Sequence, residues 1–186
     1  MSAEAELRTD VLIVGGGPTG LVAALLLARL GLRSIVVEQR SGTDEHPRAH
    51  ELNARSIEIL LSLGVDEDEL AVAASPVDDS GNILFCRRID EEIGRIDLVA
   101  DPARREKYER HLRQRRPYMN LSQSENEKVL VRHVRATPAV DLRFGHRWFG
   151  CEETADRVRS RVACEGGERM VESRWLLGCD GAGSPV

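Results

Sequence analysis

The sequence predicts an α/β fold: a Rossmann-like βαβ domain with an inserted antiparallel hairpin and a β-meander. Three observations predict it. Residues 10–40 place a glycine-rich bend between a short apolar run and a helical pattern. Residues 82–88 and 93–99 are strand-like runs on either side of a polar turn, which is typical of a hairpin. Strand-like runs then recur at short intervals after residue 140, as they do in a meander.

The βαβ unit begins with residues 10–14, a short apolar run of the kind that forms a buried parallel strand. The helix that follows the bend is expected to stop at Gly31. Its inner side carries Leu21, Leu25 and Ala28. Residues 34–37 form a second apolar strand that ends on Glu38. The segment therefore has the order strand, helix, strand and terminal acid.

The glycines of the bend have the spacing G-x-G-x-x-G, at Gly15, Gly17 and Gly20. In this pattern the first glycine allows a sharp turn, the second leaves no side chain between the backbone and a pyrophosphate, and the third lets helix and strand pack closely. The helix N-terminus offers N–H groups and a positive dipole end to phosphates. A dinucleotide site is predicted; the alternative is a βαβ unit whose glycines serve only tight packing.

Glu38 follows Gly20 by 18 residues and stands at the tip of the second strand. A carboxylate at this place can accept hydrogen bonds from ribose hydroxyls. It favours a free 2′-hydroxyl, which means NAD or FAD rather than NADP. The segment alone does not choose between NAD and FAD.

Composition excludes several classes of protein. Hydrophobic residues make up 41% of the 186 residues and charged residues 31%, which is typical of a folded soluble chain with one good core. The net charge of −5 gives no reason to expect a nucleic-acid or membrane partner. The acidic N-terminus does not resemble a signal peptide, and the longest apolar run, 21–28, is too short to cross a bilayer. We expect a cytoplasmic protein.

Cysteine and histidine usage predicts no metal site. The four cysteines have no C-x-x-C spacing and are expected to be reduced and buried. The five histidines lack the H-x-x-x-H or similar spacing that metal ligands show.

Three arginines follow the acid-ended strand: Arg40, Arg48 and Arg55. We expect them near it, because the planar guanidinium fork can donate two hydrogen bonds to a pyrophosphate. The alternative for each is a solvated loop charge.

Further helices are predicted along the chain. One begins near Asn53, stops at Gly64, and carries Ile57, Leu60 and Leu61 on its apolar face. Another opens with a capping box formed by Ser124 and Glu127 and runs to about residue 136. Residues 103–116 are interpreted as a solvated basic helix rather than a phosphate-binding patch.

The last third of the chain is read as strands at 140–144, 147–151, 157–164 and 169–175, with a hairpin turn at Gly166-Gly167. A final apolar strand, 175–179, is expected to be buried and parallel to residues 10–14. It runs into Asp180 and Gly181.

Three separated motifs together resemble one family. GGGPTGL with VVEQR, PRAHELNARSIEILLSLG and LLGCDGAGSPV are similar to the N-terminal part of the FAD-dependent aromatic hydroxylases. These are the class A flavoprotein monooxygenases typified by p-hydroxybenzoate hydroxylase. The YMNLSQ segment resembles the bacterial polyketide hydroxylases in particular. Three motifs in the right order are more specific than a glycine fingerprint alone.

The resemblance implies FAD as cofactor and NADPH as a transient co-substrate. It assigns the pyrophosphate to the three glycines, the adenosine ribose to Glu38 and the adenine to Arg40. Arg48 would reach the phosphates or the flavin side, Gln123 the ribityl chain, and Asp180 both FAD and NADPH. No catalytic residue is assigned. The implied cofactor-binding set is Gly15, Gly17, Pro18, Thr19, Gly20, Glu38, Gln39, Arg40, Arg48, Gln123, Asp180 and Gly181.

The family's chemistry implies the partners of the parent enzyme. NADPH reduces the flavin, and an oxygen atom from O₂ is transferred to an electron-rich ring, while the protein binds, orients and excludes water. The partners would be O₂ and a small aromatic substrate, which the YMNLSQ resemblance suggests is a polyketide.

The chain departs from the family after Asp180-Gly181, because the substrate-binding sheet and second flavin-contacting Gly-Asp motif are missing. We therefore expect an N-terminal FAD-binding fragment, truncated before the substrate domain is complete and inactive alone. Residues 80–116 would be an insertion on the substrate side, and apolar surfaces exposed by truncation would permit self-association. The alternatives are another FAD oxidoreductase, halogenase- or reductase-like, although W-x-W-x-I-P is absent, and a non-catalytic nucleotide-binding module.

Overall fold

A computed structural model describes residues 6–46, 48–76, 79, 81–97, 100–103, 105–106 and 118–186, and of Tyr118 the backbone only. The chain divides into two compact units. The first comprises Met1–His46 with Asn126–Val186, and the second comprises Pro47–Glu125. Most of the helix predicted at 103–116 lies outside the described residues.

The described elements follow each other in a simple order. The first unit contains β1 (Leu7–Val14), α1 (Pro18–Arg29), β2 (Ser34–Glu38), β7 (Val140–Phe144), β8 (Arg147–Glu153), β9 (Val158–Cys164) and β10 (Gly167–Gly178). The second contains β3 (Glu51–Asn53), α2 (Ala54–Ser62), α3 (Glu67–Ala73), β4 (Asn82–Arg88), β5 (Glu91–Asp97) and β6 (Tyr118–Asn120). The helix α4 (Gln123–Arg135) begins in the second unit and continues into the first.

The first unit is built on a six-stranded sheet with the order β7-β2-β1-β10-β9-β8. The strands β7, β2, β1 and β10 are parallel, whereas β10, β9 and β8 pair antiparallel as a meander. At the centre of the sheet, Val11 of β1 lies opposite Ser34 of β2 and Trp175 of β10. The predicted α/β class, βαβ unit and meander are confirmed.

The central strands β1 and β2 are buried on both faces. On one face the meander supplies Trp148, and the cluster there consists of Leu12, Val14, Ile35, Val37, Trp148, Val162 and Val171. On the other face α1 supplies Ala24, and the cluster consists of Val11, Ile13, Ala24 and Val36. Burial on both faces is the reason that these strands read in the sequence as continuous apolar runs.

In the second unit, β4 and β5 form the predicted antiparallel hairpin, and β3 pairs with β6. The helix α2 begins as predicted, because the Asn53 side chain accepts a hydrogen bond from the backbone N–H of Ser56 at 2.9 Å. Gly64 follows its end with a φ of +88°, a conformation that favours glycine.

Three predictions about the meander and its edge are wrong in detail. Residues 169–175 and 175–179 are not two strands, because β10 runs without a break from Gly167 to Gly178. The turn before it is Glu165-Gly166, since Cys164 and Gly167 already face each other as a pair. The final run is parallel to β1 as expected, but it is not buried. Trp175 is 65% exposed and Leu177 39%, because α1 does not cover this part of the sheet.

The predicted capping box and the predicted burial of the cysteines are also wrong. The helix α4 starts two residues earlier than a cap at Ser124 predicts, and Ser122 Oγ accepts from the backbone N–H of Glu125 at 3.4 Å. Glu127 is therefore inside the helix and is fully buried. All four cysteines are free, but Cys86 and Cys151 are exposed and the other two are half-buried. Strand positions that point outward explain this exposure.

No helix in the described part of the chain combines the length and the apolar composition that a bilayer crossing needs.

Candidate dinucleotide-binding site

The bend between β1 and α1 requires glycine at two positions. Gly15 has a φ of +110°, and a Cβ there would collide with the carbonyl oxygen of Cys179 at the end of β10. A Cβ on Gly20 would collide with the carbonyl oxygen of Gly15 and lie 3.3 Å from Cγ2 of Ile13. The sharp turn and the close packing of helix on strand that the sequence predicts are therefore present.

Gly17 is glycine for a different reason. Its φ of −77° and ψ of −179° suit any residue, and a Cβ there would meet no atom within 4 Å. It caps α1 without a side-chain hydrogen bond, and Pro18 takes the first helical position. The amides of Thr19 and Gly20 have no acceptor within the helix. The N-terminus of α1 thus borders open space, where N–H groups and the helix dipole favour an anion.

Glu38 lies at the end of β2 with its side chain only 6% exposed. Its Oε2 accepts from the backbone N–H of Gly16 at 2.7 Å, and its Oε1 accepts from the backbone N–H and Nε of Arg40 at 2.9 and 3.1 Å. Burial acts to raise the pKa of the Glu38 carboxyl, but these hydrogen bonds outweigh it and hold the pKa below its ordinary value. The carboxylate is ionised and directed at the glycine bend.

Arg40 is surrounded by acids. Besides its contact with Glu38, its Nη1 lies 3.0 Å from Oδ2 of Asp44. The backbone N–H of Asp44 in turn donates to Oε2 of Glu127 at 3.1 Å. Desolvation alone would lower the pKa of Arg40, but the charges of Glu38, Glu127 and Asp44 raise it above its ordinary value. The guanidinium is a permanent cation with a side chain that is 40% exposed.

Asp180 follows the end of β10 and adjoins the glycine bend, since a Cβ on Gly15 would lie 2.7 Å from its backbone nitrogen. Its Oδ1 accepts from Oγ of Ser184 at 2.6 Å, whereas its Oδ2 is buried and has no hydrogen-bond partner among the residues that the structure describes. A buried carboxylate oxygen without a donor is costly in free energy. Asp180 can therefore accept a hydrogen bond from a ligand hydroxyl. Next to it, burial and the charge of Asp180 raise the pKa of the Cys179 thiol.

The other predicted site residues have less defined surroundings. Gln39 is exposed beside Glu38, and Gly181 is exposed with a φ of +82°. Arg48 and Gln123 belong to the second unit, where Arg48 is exposed and the backbone N–H of Gln123 donates to the carbonyl of Ala49 at 2.8 Å. Arg55 contacts Glu58 at 3.2 Å on the exposed side of α2, which agrees with the alternative of a solvated charge.

Sequence reasoning missed three residues of this site: Gly16, Asp44 and Glu127. Gly16 could have been found, because three consecutive glycines are more than the G-x-G-x-x-G spacing needs. A Cβ on Gly16 would lie 2.8 Å from Cβ of Glu38. Asp44 and Glu127 left no local signal, because they meet across 83 residues of chain.

Among the described residues, no group of three or more His, Cys, Asp or Glu side chains is arranged to hold a metal ion.

The fold and the site define a dinucleotide-binding α/β domain with a pyrophosphate-type bend, an acid-ended second strand and a half-buried aspartate. A family model described as the FAD binding domain matches residues 8–186, and the chain belongs to this family.

The names of similar proteins refer to monooxygenases or to a bound flavin. The chain is 38% identical over 184 residues to the 2,4-dichlorophenol 6-monooxygenase of Cupriavidus pinatubonensis, covering 97% of this chain and 30% of that protein. The solved structure of the flavin-dependent monooxygenase PieE, in complex with FAD and substrate, superposes with a TM-score of 0.80 at 36% identity, covering 97% of this chain and 32% of that one. The rebeccamycin biosynthetic enzyme RebC with reduced flavin gives 0.78 at 30% identity, covering 97% and 34%. The chain thus spans about a third of these relatives.

The residues of the first unit fit FAD. The open space before Gly17 has room for a phosphate, and the buried Oδ2 of Asp180 lacks a donor. Each carboxylate oxygen of Glu38 has two lone pairs. Oε1 already accepts two hydrogen bonds from Arg40, whereas Oε2 accepts one from Gly16 and can accept one more from a ribose hydroxyl.

Proposed function

We propose that this chain is the FAD-binding portion of an NAD(P)H-dependent flavin monooxygenase that hydroxylates an aromatic ring. One observation carries the proposal: the helix N-terminus at Gly17 borders open space, and the buried, donorless Oδ2 of Asp180 lies beside the same bend. A phosphate and a sugar or ribityl hydroxyl would satisfy the two together. The names of two relatives, 2,4-dichlorophenol 6-monooxygenase and the flavin-dependent monooxygenase PieE, support the reaction type.

Each residue has a role in this proposal. The amides of Gly17, Thr19 and Gly20 and the dipole of α1 hold the pyrophosphate, with Pro18 setting the first turn. The carboxylate of Glu38 accepts from the adenosine ribose, and the face of Arg40 lies against the adenine. Further contacts are assigned to Gln39, Arg48, Gln123, Asp180 and Gly181.

When bound, FAD supplies the redox chemistry, accepting reducing equivalents from NADPH and using O₂ to oxygenate the substrate. The residues of this chain bind and orient the adenine end of the cofactor. Glu38 keeps a fixed negative charge at the ribose, because its pKa is lowered. The substrate class proposed is an electron-rich phenolic ring, supported by the dichlorophenol enzyme; a polyketide ring stays a prediction.

The hairpin in the second unit supports a further assignment, that residues 80–116 belong to the substrate side of the parent enzyme. Its described strands expose apolar side chains, namely Ile83, Leu84, Phe85, Ile93 and Ile96. Apolar surface of this kind is typical of a face that another segment or chain covers. We propose that the same surface allows self-association. A cytoplasmic location is also proposed, supported by four free thiols.

The test of the proposal is a comparison of two glycine variants. Gly17→Ala places a methyl group into open space, so the protein should stay folded with an unchanged thermal midpoint, while its affinity for FAD falls by roughly tenfold or more. Gly166→Ala, in the β9–β10 turn, is the matched control with its nearest neighbour 4.0 Å away. Flavin fluorescence titration measures both, against FAD and FMN.

Tighter binding of FAD than of FMN by the wild-type chain, lost in Gly17→Ala alone, supports the proposal. Equal affinity for FAD and FMN, or no flavin binding, contradicts it. Because the chain spans about a third of its relatives, we expect no substrate-dependent NADPH consumption by the purified chain. Such consumption would contradict the expectation that the chain alone is inactive.

A further inference from the structure

A buried acid, Glu127, lies close to Arg40, the residue proposed to contact the adenine. Glu127 has no exposed surface, although it is an acid and the next residue on the helix, Lys128, is exposed. Burying a carboxylate is costly unless cations and hydrogen bonds compensate it. Residues 40–44 contribute compensation of both kinds, through the backbone N–H of Asp44 and the charge of Arg40.

The same segment is held from its other side. The backbone N–H of Gly145 donates to the carbonyl of Arg40 at 2.8 Å, and that of His146 donates to the carbonyl of Glu38 at 2.9 Å. The main chain at Arg40 is therefore fixed by the β7–β8 turn, while its side chain is fixed by carboxylates. Glu127 is the only fully buried acid in this arrangement of described residues.

The contacts of the Arg40 guanidinium limit which ligand groups it can bind. Its Nε is engaged by Glu38 and its Nη1 by Asp44, so two donors on the edge of the guanidinium are occupied. The carboxyl groups of Glu38, Asp44 and Glu127 all act on this guanidinium. With two edge donors engaged, Arg40 has less of its edge to offer a phosphate, whereas the planar face of a guanidinium can stack on a neutral aromatic ring; the Arg40 side chain is 40% exposed.

We propose that Glu127 is a positioning residue, which holds residues 40–44 and thereby orients the Arg40 face toward an adenine ring. This inference rests on the proposed binding of FAD. Glu127 itself touches no ligand; it acts through Asp44 and Arg40. The effect of a Glu127 substitution on ligand affinity should therefore disappear when the guanidinium of Arg40 is removed.

The experiment is a double-mutant cycle on ADP binding, measured by calorimetry with the full chain. Glu127→Gln keeps the shape and an acceptor for the Asp44 N–H but removes the charge. We expect it to weaken ADP binding roughly fivefold, a size usual for coupled neighbours. Arg40→Lys keeps the charge but removes the planar face. In the Arg40→Lys background, Glu127→Gln should change ADP affinity less than about twofold.

Additive effects in the two backgrounds, or an unchanged affinity in Glu127→Gln, would overturn the inference. Glu152→Gln, an exposed acid on β8, is the control and should leave ADP affinity unchanged. If circular dichroism shows that the Glu127→Gln variant is unfolded, the cycle is run with Glu127→Asp. The coupling between the two substitutions in ADP affinity then supports or overturns the inference in the same way. Failure of the wild-type chain to bind either ADP or FAD would overturn the proposed function and this inference with it. Binding by wild type without coupling overturns this inference alone.

Discussion

At the scale of single residues, Glu38 connects the glycine bend to Arg40. Its carboxylate holds the bend through the N–H of Gly16 and holds Arg40 through two further hydrogen bonds. The side chain is nearly buried, so these contacts are shielded from solvent and are stronger than they would be at the surface. One residue thus shapes the bend and places a negative charge beside it.

Substitution of Glu38 should change the dependence of stability on pH. Its pKa is lowered in the folded protein, so its contribution is present above the unfolded pKa of about 4.3 and is lost as the pH falls through the folded pKa. Glu38→Gln should lower the free energy of unfolding by about 1–3 kcal/mol at neutral pH. The difference from wild type should shrink in acid, as measured by urea unfolding across this range.

The exposed acid Glu152 provides the comparison for this experiment. Glu152→Gln should change the free energy of unfolding by less than about 0.5 kcal/mol at neutral pH. A Glu38→Gln variant whose deficit stays constant down to the acid limit would show that the lost contacts do not depend on ionisation of the carboxylate.

At the scale of elements, the two tryptophans of the chain show how the sheet is covered. Trp148 of β8 is 7% exposed and packs against β1 and β2, because the meander folds over one face of the parallel strands. Trp175 of β10 is 65% exposed. Both positions read as strand in the sequence, yet only one belongs to the core.

Replacing each tryptophan by alanine should therefore change the free energy of unfolding by very different amounts. Trp148→Ala removes a large side chain from a packed cluster and should lower the free energy of unfolding by about 3–5 kcal/mol. Trp175→Ala should change it by less than about 0.5 kcal/mol. Urea denaturation followed by circular dichroism measures both. Equal losses in the two variants would mean that the meander does not cover the sheet as described.

At the scale of the whole molecule, the chain consists of two compact units. In the second unit the β4–β5 hairpin exposes a run of apolar side chains, with Ile93 63% and Phe85 48% exposed. Large exposed apolar patches are uncommon on monomeric proteins and usually meet another surface. The proposed substrate-side role and the proposed self-association both depend on this hairpin.

The hairpin surface can be tested by making it polar. Phe85→Ser with Ile93→Ser should reduce the binding of a hydrophobic dye and shift sedimentation toward the monomer, because less apolar surface remains to be buried. Val72→Ser is the control, because Val72 is 87% exposed but belongs to α3 and not to the hairpin. An effect of equal size in Val72→Ser would argue against a specific hairpin surface.

The sequence by itself determined the βαβ unit, the glycine bend, the acid at the end of β2, the hairpin and the meander. These features depend on short-range physics: apolar periodicity, glycine conformations and caps act within a few residues. The family followed from three such local motifs in order. The boundaries of α2 at Asn53 and Gly64 were predictable for the same reason.

Only the tertiary structure decided which charges meet. Glu127 was read as part of a local capping box, but it is a buried acid that holds Asp44 from 83 residues away. The two strands predicted at the chain end are one strand, because β1 and β9 pair with its two halves in succession. Burial and charge compensation depend on which elements pack together, and the local pattern of residues does not contain that information.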